Sequence, residues 1–218
     1  MLQNLAEDLR RYGGPWLQIK ALLFAPRVWA IVAYRCGRWC LTARMPSVVR
    51  VPLKIAARFL RVWVELVTSI ELPPEATIGP GLFIPHPGYI IVAFNTRIGR
   101  CCTLTQGVSI GHAAGEVLSF AGPVIGNRVH IGPGAAILGP INIGDDVLIG
   151  ANAVVTRSMP ARAVVAGNPA RVISKGGSFN LISYSGMEHD PERLASLHAA
   201  RADIGEDQSL EDRPSSDR

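Results

Sequence analysis

The sequence predicts a mainly β chain, a triangular coil of short strands behind an N-terminal α-helical region. Three observations predict it. Aliphatic residues lead twelve hexads: Ile78, Ile84, Ile90, Ile98, Leu104 and Ile110, then Ile125, Ile131, Ile137, Ile143, Ile149 and Val155. Four positions after the leader most hexads carry a compact or aliphatic residue, among them Leu82, Cys102, Val108, Val129, Ala135, Ile141, Val147 and Ala153. Glycine often follows the leader directly, as at Gly79, Gly99, Gly126, Gly132, Gly144 and Gly150. A six-residue beat of this kind does not fit the 3.6-residue period of a helix. It suits a flat, short strand and a tight turn, three of them closing one coil.

Residues 1–72 read as the helical region. Asn4 is placed to cap a first helix ending at Gly13-Gly14, with Pro15 as breaker. A second helix runs from Trp16 to Ala43, split near Pro26. A third follows Pro52, with Ile55, Phe59, Val62, Trp63 and Leu66 on one face and Lys54, Arg58 and Arg61 on another. Pro73-Pro74 stop the helix and open the repeat domain, 73–174. A loop rich in Ala, Gly and Ser breaks the beat at 112–123, and loops that interrupt a regular scaffold tend to carry function. Ala163-Val164-Val165 and Arg171-Val172-Ile173 read as last strands around the Gly167-Asn168-Pro169 turn. Residues 175–218 form an extension in which Asp190-Pro191 can start a short helix, and the acidic stretch 203–218 is expected to be disordered.

The formal net charge of +5 is unevenly spread. Residues 1–70 hold eleven Lys/Arg against three Asp/Glu, residues 71–174 six against five, and residues 175–218 five against nine. The basicity therefore belongs to the helices. No stacking aromatics are interleaved with these cations in a nucleic-acid-binding motif, and no phosphate-cradling P-loop or dinucleotide fingerprint is present. Cys36, Cys40, Cys101 and Cys102 fit no metal or disulfide framework, so no metal and a reduced, cytoplasmic setting are expected. Charges interrupt every candidate signal peptide or bilayer span. A basic segment bearing Trp16, Trp29, Trp39 and Trp63 suits peripheral contact with an anionic membrane surface; packing of the helices on the coil is the other reading.

Five strings carry a family resemblance: Ile70-Glu-Leu-Pro-Pro74, Ile84-Pro-His-Pro-Gly88, Thr105-Gln-Gly-Val-Ser-Ile-Gly111, Ile131-Gly-Pro-Gly-Ala135 and Ala166-Gly-Asn-Pro-Ala-Arg171. The chain resembles the hexapeptide-repeat acyltransferases, in the serine acetyltransferase-like branch that includes colanic acid, capsule and exopolysaccharide O-acetyltransferases. The resemblance covers residues 66–173 and, more loosely, Glu7–Gly13. It implies a left-handed parallel β-helix, acetyl-CoA as donor, and a homotrimer with active sites between subunits. The left hand comes from the resemblance alone, since crossovers between parallel strands are otherwise right-handed.

By the same resemblance His86 matches the catalytic histidine. Attack of a hydroxyl on a thioester needs a base that titrates near neutrality, and imidazole supplies one. Glu71 stands where the family has an acidic partner, usually aspartate, whose carboxylate orients the ring. Gly111, Gly132, Gly134, Gly150 and Ala151 keep coil corners small, either for coenzyme A or for the turns alone. Arg157, Arg171 and Lys175 lie toward the end where the family places the nucleotide of the cofactor, and arginine suits phosphate. His112 is a substrate contact or an ordinary loop residue; His130 should face outward and pack. An oxyanion contact is expected from a backbone N–H near Gly107–Gly111. A covalent route through Cys101 or Cys102 is disfavoured because no base adjoins them in sequence.

The acceptor reading rests on departures from the serine enzymes. Pro85 replaces an aspartate, and Ala121-Gly122 replace an Arg-His pair, leaving Arg97, Arg100 or Arg128 to hold an amino acid's carboxylate. The helical lead-in is also shorter. A sugar hydroxyl in exopolysaccharide or capsule biosynthesis is therefore the expected acceptor. Serine O-acetylation feeding cysteine biosynthesis is the alternative, and a non-catalytic β-helix scaffold the third reading.

Overall fold

The computed structural model describes residues 1–112 and 121–211. Four helices precede the repeat: α1 (Leu2–Arg10), α2 (Pro15–Phe24), α3 (Pro26–Thr42) and α4 (Ser47–Thr68). The split at Pro26 is present. Two boundaries differ from expectation. Asn4 lies inside α1, whose N-cap is Met1 with no side-chain cap. Helix α4 begins before Pro52, which lies within its exposed early turns, where losing one backbone donor is tolerated. The apolar face read from Ile55 to Leu66 forms as expected but points to solvent; α4 buries Val64 and Thr68 instead.

The repeat winds into three parallel faces. Face 1 stacks Thr77-Ile78, Arg97-Ile98, Val124-Ile125 and Asn142-Ile143. Face 2 stacks Thr103-Leu104, His130-Ile131, Leu148-Ile149 and Val164–Ala166. Face 3 stacks Ile70-Glu71, Ile90–Val92, Ser109–Gly111, Ala136–Leu138 and Val154-Val155. The chain runs face 1, face 2, face 3 and back, so leaders fall in register: Ile78, Ile98, Ile125 and Ile143 in one column, Leu104, Ile131, Ile149 and Val165 in the next. Both columns are buried, as are Leu82, Cys102, Val129 and Val147 four positions on.

The corner between faces 1 and 2 explains the glycine after the leader. A Cβ on Gly79 would lie 2.7 Å from the Gly99 carbonyl carbon, and one on Gly99 would lie 2.5 Å from the Gly126 carbonyl oxygen. Gly126 meets the backbone of Gly144 and Asp145, and Gly144 that of Ala161, in the same way. Backbone rests on backbone at this corner, with no room for a side chain.

A β-coil has an open edge at its first turn, whose N–H and C=O groups need partners. The helices supply them. Tyr34 Oη accepts from Ile78 N–H and donates to Ala76 C=O, both at 2.9 Å. Tyr12 Oη sits between Ile84 N–H and Ile84 C=O. Asp8 accepts from Leu82 N–H at 2.8 Å while gripping Arg35 at 2.8 and 3.0 Å. Arg35 in turn donates to the carbonyls of Ile78 and Gly79. The helical region is thus the lid of the coil.

At the other end Arg171–Ser174 pairs antiparallel with Val164–Ala166. The chain then returns along the glycine corner and ends in α5 (Pro191–Glu211). Helix therefore occupies part of the stretch expected to be disordered, because Asp190 caps it through the N–H groups of Glu192 and Arg193; residues 212–218 lie outside the described residues. Arg128 binds the extension. It is buried, grips Asp146 at 2.7 and 3.0 Å, and reaches Glu192. Ser178 donates to its carbonyl, and Arg100 bridges to Asp190 and Glu192.

Burial alone would raise the carboxyl of Asp190, but the Tyr184 hydroxyl, the Arg193 N–H and Arg100 bring it down to about 2. A carboxylate depressed in the folded state contributes stability that is full above its ordinary value and lost as pH falls through the folded one. The extension should therefore detach between about pH 4 and pH 2, read as acid-protease cleavage near residue 185, and Asp190→Asn should shift or abolish that step. Cleavage independent of pH in this window would contradict it.

Candidate active site

Two corners of the coil hold the residues marked by the sequence. His86 lies at the corner between faces 2 and 3, in the first turn, after Phe83 bridges to Thr103 and before Ile90 opens face 3. Its side chain is exposed and Pro85 and Pro87 stiffen its backbone. Gly88 (φ 118°) and Tyr89 (φ 35°) turn the chain back, and Gly88 C=O accepts from Gly107 N–H at 3.2 Å. A bulky residue at positive φ is a genuine outlier, and such strain gathers at functional sites. Tyr89, itself highly exposed, carried no signal in the sequence because nothing in a one-dimensional pattern reports φ.

Below His86 the same corner continues through Gln106-Gly107, Gly132–Gly134, Gly150–Asn152 and Ala166. Gly134 N–H donates to Gln106 C=O, Asn152 N–H to Pro133 C=O, and Gly150 N–H to Val165 C=O. Arg171 pairs beside Ala166. His86, Gly132, Gly134, Gly150, Ala151 and Arg171 thus share one edge. Gln106 Oε1, on that edge, is shut from solvent without a donor, which a bound group could supply.

The small residues of this set do different work. A Cβ on Gly132 would strike the backbone of Ala151, Gly150 and Ile149 at 2.7 to 2.8 Å. Gly134 has φ 70°. Both are required by the turn itself. Gly111 differs: among the described residues an added Cβ would meet only Ala93 Cβ, at an ordinary 3.7 Å. Neither its backbone conformation nor packing against the described residues demands glycine there.

Gly111 and His112 lie at the next corner, between faces 3 and 1, as does Arg157 two coils on. Residues 113–120 of the expected loop lie outside the described residues. His112 Nε2 is 2.9 Å from Asn95 Nδ2, and its ring lies 6.2 Å from that of Phe94. Arg97 opens the adjoining strand, exposed and without an ion pair among the described residues, its N–H donated to Pro123 C=O. The other two arginines considered for a substrate carboxylate are committed: Arg128 to Asp146, and Arg100 to Asp190 and Glu192.

Glu71 lies on the first strand of face 3, opposite Ile91 and exposed. Among the described residues no hydrogen bond joins it to His86. Its charge is felt at Glu65, whose carboxyl is raised first by burial, against Arg61, and further by Glu71. Arg157 and Lys175 are exposed, and Arg171 donates to Ala170 C=O. Two N–H groups in the stretch expected to supply an oxyanion contact are already used, Gly107 by Gly88 and Ser109 by Ala135. Burial pushes the Cys102 thiol up to about 12 and raises Cys101 too, which argues against a thiolate nucleophile. His130 is half-buried on face 2, its pKa lowered by burial and then by Arg11.

Residues 122–157 match a family described as "Bacterial transferase hexapeptide (six repeats)". A serine acetyltransferase of Synechococcus elongatus is 31% identical over 213 residues, covering 95% of this chain and 84% of that protein. One of Helicobacter pylori is 38% identical over 156 residues, 72% of this chain and 86% of that protein. The chain belongs to the hexapeptide-repeat acyltransferases of the serine acetyltransferase type. Solved serine acetyltransferases share the fold, a left-handed β-helix. The Brucella abortus enzyme in complex with coenzyme A aligns with a TM-score of 0.67 and 27% identity, covering 79% of this chain and 67% of that one. The soybean enzyme complexed with serine aligns with a TM-score of 0.67 and 30% identity, covering 78% and 68%.

These relatives overturn the expected sugar acceptor. That expectation weighed two local departures, Pro85 and Ala121-Gly122, against a match that runs through nearly the whole chain. It also treated three arginines as equivalent, whereas Arg128 is held by Asp146 and Arg100 by the extension, and Arg97 has no ion pair among the described residues. In this serine acetyltransferase-type acyltransferase, Gly111→Ala should stay within about 0.5 kcal/mol of the parent's stability, because its Cβ meets only ordinary contact. Gly132→Ala should cost about 1–3 kcal/mol or more through overpacking against backbone. Urea unfolding of both variants checks the pair; equal losses would refute the distinction.

Proposed function

We propose that the chain transfers the acetyl group of acetyl-CoA to the side-chain hydroxyl of serine. The observation that carries this reading is His86, exposed between two prolines at the head of a corner column of small residues, in a chain of this family. His86 takes the proton from the serine hydroxyl as its oxygen attacks the thioester carbonyl. The tetrahedral oxyanion collapses, the C–S bond breaks, and the coenzyme A thiolate leaves and is protonated. Glu71, the carboxylate on the neighbouring strand of face 3, orients the histidine ring once substrate is bound. Gly111 leaves room for the pantetheine arm, and Arg157, Arg171 and Lys175 serve the phosphates. Arg97 takes the carboxylate of serine, beside His112.

The two corners support a shared site. Within one chain they stand at opposite ends of face 3, whose three-residue strands alone span about 10 Å. His86 of one copy can meet the Gly111, His112 and Arg97 corner of a second when edges meet head to tail, and three such contacts close a ring. The homotrimer is proposed on that ground.

With acetyl-CoA present, serine should drive release of free thiol, whereas hexoses should not; hexose-driven release with none for serine would refute the reading. His86→Ala should lower kcat by about 100-fold or more. Arg97→Gln should raise KM for serine with little change in kcat. Mixing inactive His86→Ala with inactive Gly111→Trp, after dissociation and reassembly, should restore part of the activity, since some sites then combine two intact corners. Absence of any recovery would place the whole site in one chain.

A further inference from the structure

Helix α4 is amphipathic in an unusual sense, because its outward face is the apolar one. Val48, Val51, Ile55, Phe59, Val62 and Leu66 recur every three or four residues, a single stripe, and Phe59 and Leu66 are 73% and 79% exposed. Helix α2 adds two further exposed aromatic residues, Trp16 and Phe24, 76% and 74% exposed. Leu22 of α2 joins Trp29 of α3 and Leu60 and Trp63 of α4 in lining an apolar groove, where Trp29 and Trp63 stack at 5.8 Å. Exposed apolar surface on this scale marks a contact site.

Charge identifies what it contacts. Residues 15–68 hold nine Lys/Arg and a single acid, Glu65. Arg35 is bound to Asp8, Arg61 pairs with Glu65, and Arg38 donates to the backbone of Pro74 and Glu75. Lys20, Arg44, Arg50, Lys54 and Arg58 have no hydrogen bond or ion pair among the described residues. Lys54 and Arg58 lie one turn apart, exposed at the edge of the apolar stripe, where they line a groove with Pro74 and Glu75; Arg50, half-buried, falls on the packed side of the helix. A second copy docked face to face would bring the same excess of cations against itself. An anionic surface complements both the stripe and its rim. No single described helix is long and apolar enough to cross a bilayer, and α2 and α3 bend by 87° at their junction, a geometry suited to lying in an interface.

We infer that the outer face of α2 and α4 docks on the surface of an anionic lipid bilayer, seating tryptophan and phenylalanine among the headgroups with the unpaired cations over lipid phosphates. The face lies on the helical lid, and neither Phe59 nor Leu66 is among the residues assigned to acetyl transfer.

The full chain is sedimented with vesicles of phosphatidylcholine alone and of phosphatidylcholine mixed with phosphatidylglycerol, and tryptophan emission is followed. Binding to the mixed vesicles only, with a blue shift and reversal by salt, is expected. The double variant Lys54→Gln/Arg58→Gln should bind about fivefold more weakly for each cation removed. Phe59→Ser/Leu66→Ser should lose binding while keeping thiol release in solution. Failure of the parent chain to bind mixed vesicles at low salt would overturn the inference, as would binding unaffected by both double variants. A fall in assembled mass on Phe59→Ser/Leu66→Ser, with no vesicle binding by the parent, would assign the face to contacts between copies instead.

Discussion

Backbone resting on backbone at one corner of the coil is the constraint on which the rest depends. Gly79, Gly99, Gly126 and Gly144 stack so closely that a single Cβ would meet a carbonyl or amide of the next turn. This contact holds successive coils in register, and register keeps the aliphatic leaders in buried columns. It also holds the other two corners at fixed spacing. A site built from one corner therefore inherits its precision from a corner that carries no chemistry.

The ends of such a coil are its weak points. At the start, Tyr34, Tyr12, Asp8 and Arg35 satisfy the backbone of the first turn with buried charge and hydroxyls. At the far end the last coil pairs with the antiparallel strand Arg171–Ser174, and along the glycine corner Arg128 and Asp146 anchor the extension. Each Arg–Asp pair is bidentate and buried, and Asp8, Arg35 and Arg128 make further hydrogen bonds, a condition that helps offset desolvation of the pair. Arg128 is thereby committed to the fold, and of the three arginines weighed for a substrate carboxylate Arg97 is the one without an ion pair among the described residues.

The site follows from what those closures leave uncovered. Among the described residues nothing covers the edge with His86 or the edge with Gly111 and His112, and the two stand apart across face 3. The lid leaves a third surface open, the apolar outer side of α2 and α4. Its exposure is compatible with the stability of the fold because Val64 and Thr68, on the opposite side of α4, make the packing contacts.

Much of the coil was legible in the sequence because a β-coil is nearly one-dimensional: the hexad leaders, the glycine after them and the residue four on each report a local environment. His86 was singled out by the family resemblance of the Ile84-Pro-His-Pro-Gly88 string rather than by the hexad pattern. Glycine function was not legible, since Gly111 and Gly132 look alike in a string and differ only in what stands opposite. Nor was the direction of the α4 stripe, because periodicity marks a face without saying which way it turns. The sequence by itself determined the strand period and the buried columns. Only the tertiary structure decided which arginines are held in ion pairs, which corners share an edge, and that the apolar face of the helices looks outward, because each depends on contacts between residues far apart in the chain.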